Sequence, residues 1–212
     1  MTGFCEQLHL LLSKQRMFRF PFDSETIPEN GIYILYENGE IAHRTNRIVR
    51  IGTHTGRNQL RSRLRQHFAR ENKDRSIFRK NIGRAILNRD NDPFIKDWEK
   101  DLTTKVAKEK FGNQINLRKQ AAVEKAVSEY IQNHLSFMVI RVDDKHERLE
   151  LESRMISTAS KCHECQPSES WLGFYSPKDK IRESGLLLVN ELYKNPLSEI
   201  DFQKVVTCLE NS

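Results

Sequence analysis

Two short apolar runs near the start of the chain limit its fold more than any other feature. They lie at residues 31–36, GIYILY, and 47–52, RIVRIG, and both have the β-branched and aromatic content typical of strands. The pair Asn38-Gly39 between them predicts a hairpin turn. Because a two-stranded ribbon is not stable alone in water, we expect helices to cover it.

Most of the remaining chain has the apolar periodicity of helices. Apolar residues recur every three or four positions in segments at 58–70, 76–88, 94–110, 117–135 and from about 148 onward. A third strand is predicted at 137–142, and Ser198 is predicted to cap a closing helix. The aromatic-rich stretch at 18–22 is expected to pack over a sheet edge. The sequence therefore predicts an α+β fold, a small sheet of about three strands wrapped by helices.

The chain contains no internal repeat, low-complexity stretch or linker that would separate two domains. Its 212 residues are enough for one ordinary domain. We predict a single domain at 29–212, an N-terminal extension at 1–28 that packs on this core, and a helical insertion at about 92–135.

Composition narrows the class of protein. No apolar run is long enough to span a bilayer, and the 4 cysteines are too few and too scattered for a disulfide scaffold. These features predict a soluble protein of the cytoplasm with no membrane partner. Lys and Arg (35) outnumber Asp and Glu (29), which gives a net charge of +6. This basic surplus suits a polyanion partner without requiring one.

The first predicted helix after the ribbon carries a dense group of basic side chains. Arg61, Arg63 and Arg65 crowd this helix, and His67 follows Arg63 by one turn on the same face. A charge run of this kind is most often a solvated face. The alternative is that Arg63 and His67 bind a phosphate, because the planar guanidinium of arginine matches two phosphate oxygens at once.

Three further side chains become candidates through their position. Tyr33 and His54 lie on the ribbon that must pack against the arginine-rich helix, although a strand tyrosine usually packs and a lone histidine usually belongs to a loop. Glu152 lies in the first turns of a later helix, beside its apolar stripe. A glutamate there is most often half-buried and paired, and less often holds a metal.

The order of these motifs resembles the GIY-YIG nuclease family. The resemblance rests on GIY at 31–33, RIG at 50–52 and LRSRLRQH at 60–67. In that family a Gly-Ile-Tyr strand pairs with a Tyr-Ile-Gly strand, and a helix then brings a catalytic arginine followed by a histidine or tyrosine. The segments SIFR at 76–79 and SWLG at 170–173 are similar to a bacterial branch of the family that is related to restriction endonucleases.

The resemblance extends to a metal and to a reaction. LESRMI at 151–156 is similar to the family helix that carries one metal-anchoring glutamate, which implies that Glu152 holds Mg²⁺ or Mn²⁺. The implied function is a divalent-metal-dependent DNA endonuclease that hydrolyses phosphodiester bonds, and the branch suggests a role in restriction or defence. Double-strand cutting by one active site would need a homodimer or sequential nicking.

The resemblance also implies a role for each side chain. Arg63 would bind the non-bridging phosphate oxygens, and Tyr33, with its proton relayed by His54 or His67, would orient or deprotonate the attacking water. Further contacts with DNA are expected from Arg50, Arg61, Arg65, Arg79 and Arg84.

Two departures from the family pattern keep an alternative open. Arg50 stands where the second motif should begin with tyrosine, so a catalytically silent DNA-binding module of the same family is the alternative. Some restriction-type members place a histidine or lysine shortly after this motif, and His54 could fill that role. The family also often has an asparagine about a dozen residues past the glutamate, where this chain has Glu164 with Gln166 nearby.

Cys162 and Cys165 form a separate pattern. Two cysteines at this spacing can be half of a zinc site, because the turn directs both thiolates at one ion. A four-ligand site needs a second pair of donors, and the nearby His146 and His163 do not form one. We therefore favour a structural pair of loop thiols over zinc, and a zinc-stabilised interaction module stays a third alternative.

Overall fold

One antiparallel sheet forms the centre of the fold in the computed structural model, which describes residues 3–112 and 114–210. Its strands are β1 (Phe18–Arg19), β2 (Gly31–Ala42), β3 (Thr45–Gly52) and β4 (Leu135–Arg141), in the order β1-β4-β2-β3. The predicted α+β class and the three longer strands are confirmed. The aromatic stretch contributes a fourth, two-residue strand, because Phe18 and Arg19 pair directly with β4 at the sheet edge.

Helices cover both faces of this sheet. Within the described residues they are α1 (Phe4–Leu12), α2 (Leu60–Phe68), α3 (Ile77–Arg89), α4 (Ile95–Trp98), α5 (Lys105–Phe111), α6 (Leu117–His134), α7 (Lys145–Ser160), α8 (Asp179–Ser184) and α9 (Glu199–Glu210). Ser198 caps α9 as predicted, since its Oγ accepts the Asp201 amide at 3.3 Å and the Asp201 carboxylate accepts the Ser198 amide at 2.9 Å. Among the described helices, none has the length and apolar character needed to cross a bilayer.

The prediction of a hairpin turn at Asn38-Gly39 is wrong. Strand β2 continues past this pair, and a shift in register between Tyr36 and Ile41 absorbs it as an irregularity within the strand. The chain instead reverses at His43 and Arg44, whose φ angles are 50° and 61°. Both residues therefore adopt the left-handed conformation that this kind of tight turn requires.

The single helix predicted at 94–110 is divided into α4 and α5. Carbonyl groups at the end of α4 accept hydrogen bonds from lysines elsewhere in the chain. The Glu99 carbonyl accepts from Lys80 at 2.8 Å, and the Lys100 carbonyl accepts from Lys73 at 2.6 Å. The Asp74 carboxylate also accepts the Leu102 amide at 3.0 Å. These long-range bonds stop the helix at a point that its apolar period does not show.

Alternate residues of β2 pack into two separate cores. Tyr33 and Leu35 lie in a cluster with α2, α3 and α6 on one face, while Ile32 and Ile34 lie in a second cluster with α1, α7 and α9 on the other. This alternation follows from the two-residue period of a strand. The edge of β3 is partly covered, because the Leu187 amide donates to the Val49 carbonyl at 2.7 Å.

Arg79 and Arg84 belong to this architecture rather than to an open basic surface. Arg79 is fully buried, and its guanidinium donates to the Glu124 carboxylate and to the Ser128 hydroxyl at 2.9 and 2.8 Å, which joins α3 to α6. Arg84 is 6% exposed and pairs with Glu99 at 2.5 Å. Their positions do not support the predicted contacts with DNA, because both charges are already neutralised by acidic partners.

We predict that Arg79→Met lowers the free energy of unfolding by about 3–5 kcal/mol, because it leaves the Glu124 carboxylate buried without its cation. The measurement is urea denaturation of both proteins. Arg65→Met is the matched control, since Arg65 is exposed and its replacement should change stability by less than about 0.5 kcal/mol. Equal stabilities of the two variants would contradict a structural role for Arg79.

Candidate active site

A cleft of about 700 Å³ opens where β3 ends, between elements from both faces of the sheet. Tyr33 and Arg50 line it from the strands, Arg63 from α2 and Glu152 from α7, and His54 lies in the loop after β3. Residues far apart in sequence thus meet at one place. His67 is the one predicted catalytic residue that does not line the cleft, and it lies buried behind Tyr33.

A chain of hydrogen bonds runs inward from Tyr33. Its hydroxyl oxygen lies 2.9 Å from His67 Nε2, and His67 Nδ1 lies 2.8 Å from the Oγ of Ser76. Ser76 caps α3, where its Oγ accepts the Arg79 amide at 3.2 Å. Burial, and next the positive charges of nearby arginines, hold the pKa of His67 well below the usual value. His67 is therefore a neutral imidazole, which can exchange one proton with Tyr33 on one side and Ser76 on the other.

The two glycines of the paired motifs make this arrangement possible. Tyr33 lies opposite Gly52 in the ladder between β2 and β3, and a Cβ at Gly52 would be 2.3 Å from the Tyr33 hydroxyl. A Cβ at Gly31 would be 2.3 Å from the carbonyl oxygen of Ile140. Both contacts are far too short for a side chain, so these positions require glycine for close approach.

Arg50 occupies the place of the second family tyrosine and lies in the wall of the cleft. It is 7% exposed, and its Nε donates to the Tyr33 hydroxyl at 3.4 Å while Nη1 donates to the Leu187 carbonyl at 2.5 Å. Its guanidinium also stacks over the Phe78 ring at 5.1 Å. The side chain is thus directed at Tyr33 and not at an exposed face.

Glu152 presents a desolvated carboxylate to the cleft. Burial raises its pKa to about 7, against the lowering effects of Arg50, of a hydrogen bond from the Thr53 amide and of Arg63. Among the residues that the structure describes, no basic side chain forms an ion pair with it. A carboxylate that is partly dehydrated and lacks a cation partner fits a divalent ion, because such ions prefer oxygen ligands.

Arg63 is half-buried and faces the same cleft. Its Nη1 makes two long hydrogen bonds, to Gln66 Oε1 at 3.3 Å and to the Arg75 carbonyl at 3.4 Å. No acidic side chain in the described part of the chain pairs with it. Arg63 therefore keeps most of its donors for an anion in the cleft, as the phosphate interpretation of the sequence requires.

His54 is close to the site but directed away from the proton path. Its Nδ1 lies 2.7 Å from the Gly56 carbonyl, and its Nε2 accepts the Gly31 amide at 3.4 Å. Burial lowers its pKa below the usual value. Because both ring nitrogens contact backbone, the geometry supports a relay from Tyr33 through His67 and not through His54.

The remaining basic residues differ in their surroundings. Arg61 pairs with Glu25 at 2.7 Å and donates to the Ile27 carbonyl at 2.7 Å, so it fastens the segment before β2 to α2. Arg65 is exposed. Of the arginines predicted to touch DNA, only Arg65 is exposed without a bound acidic partner among the described residues.

Several polar residues of the cleft carry no sequence signal strong enough to predict them. Asn190 and Glu191 reach it from the segment after α8, and Asn81 reaches it from α3. The exposed Glu164 and Gln166, where the family asparagine was expected, do not line this cleft. The one available signal was the apolar run at 186–189, which indicates a buried extended segment just before Asn190.

The raised pKa of Glu152 predicts a pH-dependent stability. Between the usual value of 4.5 and about 7 the folded protein retains a proton that the unfolded chain has released, so the free energy of unfolding falls as pH rises through this window. Above pH 7 the charged carboxylate remains desolvated. We expect Glu152→Gln to remove this cost and to raise Tm at pH 8 by about 2–4 °C in magnesium-free buffer.

Thermal unfolding from pH 5 to pH 8 measures this effect, and the difference from the wild type should shrink toward pH 5. Glu150→Gln is the control, since Glu150 instead pairs with Arg154 at 2.8 Å and has a lowered pKa. A lower Tm for Glu152→Gln at pH 8 would mean that the carboxylate has a structural partner.

Comparisons with known proteins agree with this geometry. A family model described as a GIY-YIG domain matches residues 4–206. Searches of curated proteins and of solved structures found no match. The family match spans nearly the whole chain, and the paired glycine motifs, the arginine on α2 and the glutamate on α7 lie within it. The chain belongs to the GIY-YIG domain family.

Proposed function

We propose that this protein is a divalent-metal-dependent endonuclease that hydrolyses phosphodiester bonds in DNA. The observation that carries the proposal is that Tyr33, Arg63 and Glu152 line one cleft. Phosphodiester hydrolysis needs an oriented water, a group that takes its proton and positive charge at the phosphate. These three side chains offer the corresponding chemistry.

Arg63 binds the phosphate. Its guanidinium has few protein partners, and it can donate two parallel hydrogen bonds to the non-bridging oxygens. Positive charge at this place stabilises the negative charge on the non-bridging oxygens in the transition state. Arg63 thus contributes both to substrate orientation and to rate.

Tyr33 orients the attacking water and takes up its proton while its own phenolic proton passes to Nε2 of neutral His67. A tyrosine hydroxyl needs neighbouring donors or positive charge for this task at neutral pH. Arg50 donates to the Tyr33 oxygen and stabilises the negative charge that develops there as the phenolic proton moves to His67 Nε2, 2.9 Å away. Arg50 therefore replaces the second family tyrosine with a positive charge beside Tyr33. This charge favours the active enzyme over the silent module.

Glu152 would hold Mg²⁺ or Mn²⁺ through a carboxylate oxygen. One protein carboxylate is an adequate anchor for such an ion, which retains several waters and binds phosphate oxygens as further ligands. Bound there, the ion supplies positive charge for the departing oxygen.

The finer parts of the proposal have different grounds. A role in restriction or defence rests on the family resemblance and a cytoplasmic location on composition, and cutting of both strands would need a homodimer or sequential nicking. The segment from α4 to α6 is the proposed place for target recognition, since its side chains are largely exposed around α5. The alternative function is DNA binding without cleavage, which the replacement of the second tyrosine by Arg50 keeps open.

We predict that Arg63→Ala lowers the rate of plasmid nicking in magnesium by at least about a hundredfold, because the phosphate loses its main cation. Relaxation of supercoiled plasmid with and without magnesium is the assay, and circular dichroism verifies the fold. Arg19→Ala, which replaces an exposed arginine on β1 at the opposite edge of the sheet, should cut at close to the wild-type rate. Near-normal nicking by a folded Arg63→Ala protein would contradict the assigned role.

We predict that Glu152→Gln abolishes cleavage while DNA affinity stays equal or rises, because the amide cannot hold a hard dication and one negative charge leaves the phosphate site. Gel shift and nicking assays on the same preparation separate the two effects. Glu150→Gln should behave like the wild type in both. If wild-type protein binds DNA but never cuts in magnesium, the silent module is the correct function.

A further inference from the structure

A compact group of sulfur and imidazole donors lies apart from the residues of the cleft. Cys5 and His9 come from α1, His43 from the turn between β2 and β3, and Cys165 from the loop after α7, and their donor atoms all lie within 4.8 Å of one another. We propose that these four side chains bind one zinc ion, which fastens α1 and the loop after α7 to the β2–β3 hairpin. The proposal is independent of the nuclease function.

The distances from Cys165 Sγ to the other three donors match a tetrahedral site. Cys165 Sγ lies 3.5 Å from Cys5 Sγ, 3.5 Å from His43 Nε2 and 3.8 Å from His9 Nε2. Bonds of about 2.3 Å from zinc to sulfur and about 2.0 Å to nitrogen place tetrahedral donors about 3.3–3.8 Å apart. Since no two donors are more than 4.8 Å apart, an ion at the centre of this group would draw the more distant donors together by at most about 1 Å.

Both histidines are already oriented as zinc ligands. His9 Nδ1 lies 2.9 Å from the carbonyl of Cys5, and its Nε2, 3.8 Å from Cys165 Sγ, accepts the Ile48 amide at 3.4 Å, a long hydrogen bond that a zinc ion would replace. His43 Nε2 faces the thiols, while its Nδ1 lies 3.4 Å from a Glu164 carboxylate oxygen. A ligating histidine usually has a carbonyl or carboxylate beside its other ring nitrogen, because that contact fixes the tautomer and the ring orientation.

The hairpin turn gives independent support. His43 and Arg44 both have positive φ angles, a conformation that asparagine and glycine adopt at much lower cost. The turn places the His43 side chain, which is 2% exposed, against Cys165. A bond from His43 to a metal would offset the cost of this unusual turn.

Burial and charge also fit zinc. Cys5, His9 and Cys165 are 7%, 1% and 6% exposed, so the site is closed to solvent as structural zinc sites are. Two thiolates and two neutral imidazoles balance the charge of one dication. Cys162 Sγ lies 3.3 Å from His43 Nε2 at the margin of the group, and we assign it no bond to the ion.

Metal content of the full-length protein, purified under reducing conditions without added metal, tests the proposal. We expect about one zinc ion per chain in the wild type and almost none in Cys165→Ser or His43→Ala. Cys208→Ser is the matched control on α9, outside the cluster, and it should retain the ion. Cys162→Ser should also retain it, and zinc lost from this variant but kept in Cys5→Ser would overturn the ligand set.

If a ligand variant fails to fold, experiments on the wild-type protein test the proposal instead. Cobalt exchanged into the wild-type protein should give the strong visible bands of tetrahedral thiolate coordination, and a zinc chelator should lower Tm in the presence of excess magnesium. Reduced wild-type protein that takes up neither zinc nor cobalt would overturn the proposal. So would isolation of the protein with a Cys5–Cys165 disulfide that excludes the metal.

Discussion

The close approach of Tyr33 to Gly52 is the contact on which the candidate site depends. Because Gly52 has no Cβ, the tyrosine ring can lie against β3 and extend its hydroxyl to His67. This contact joins the sheet to α2 and α3 through Ser76, and it sets the position of the cleft beside Arg63. A side chain at Gly52 would displace the hydroxyl from its hydrogen bonds before it altered the fold elsewhere.

The charge states of His67 and Glu152 depend on their burial and on the arginines near them. The positive charges of Arg50 and Arg63 act on two titratable groups with opposite results, since they disfavour a charged His67 and favour a charged Glu152. Burial disfavours the charged form of both. His67 is therefore kept neutral by both effects, whereas Glu152 is held near the point of titration and gains most from an added cation.

Local patterns predicted the strands, most of the helices and the spacing of Arg63 and His67. They did not predict that Arg79 is buried. An arginine near a helix start is expected to be exposed unless its buried partner, here Glu124 far along the chain, is known. They also misplaced the hairpin turn, because the chain reverses at His43 and not at Asn38-Gly39, the pair that such turns usually prefer. Sequence spacing describes neighbours on one element, whereas the fold decides which elements face each other.

The two metal sites proposed for this chain differ in chemistry and in purpose. Glu152 offers one hard oxygen ligand in an open cleft, which suits an ion that keeps its waters and meets a substrate. Cys165 and its partners offer soft, closed coordination that suits zinc. Helix α7 connects them, since Glu152 lies in its first half and Cys165 follows its last turn. A zinc ion that fixes the end of α7 would thus restrain the helix that carries Glu152, without binding in the cleft.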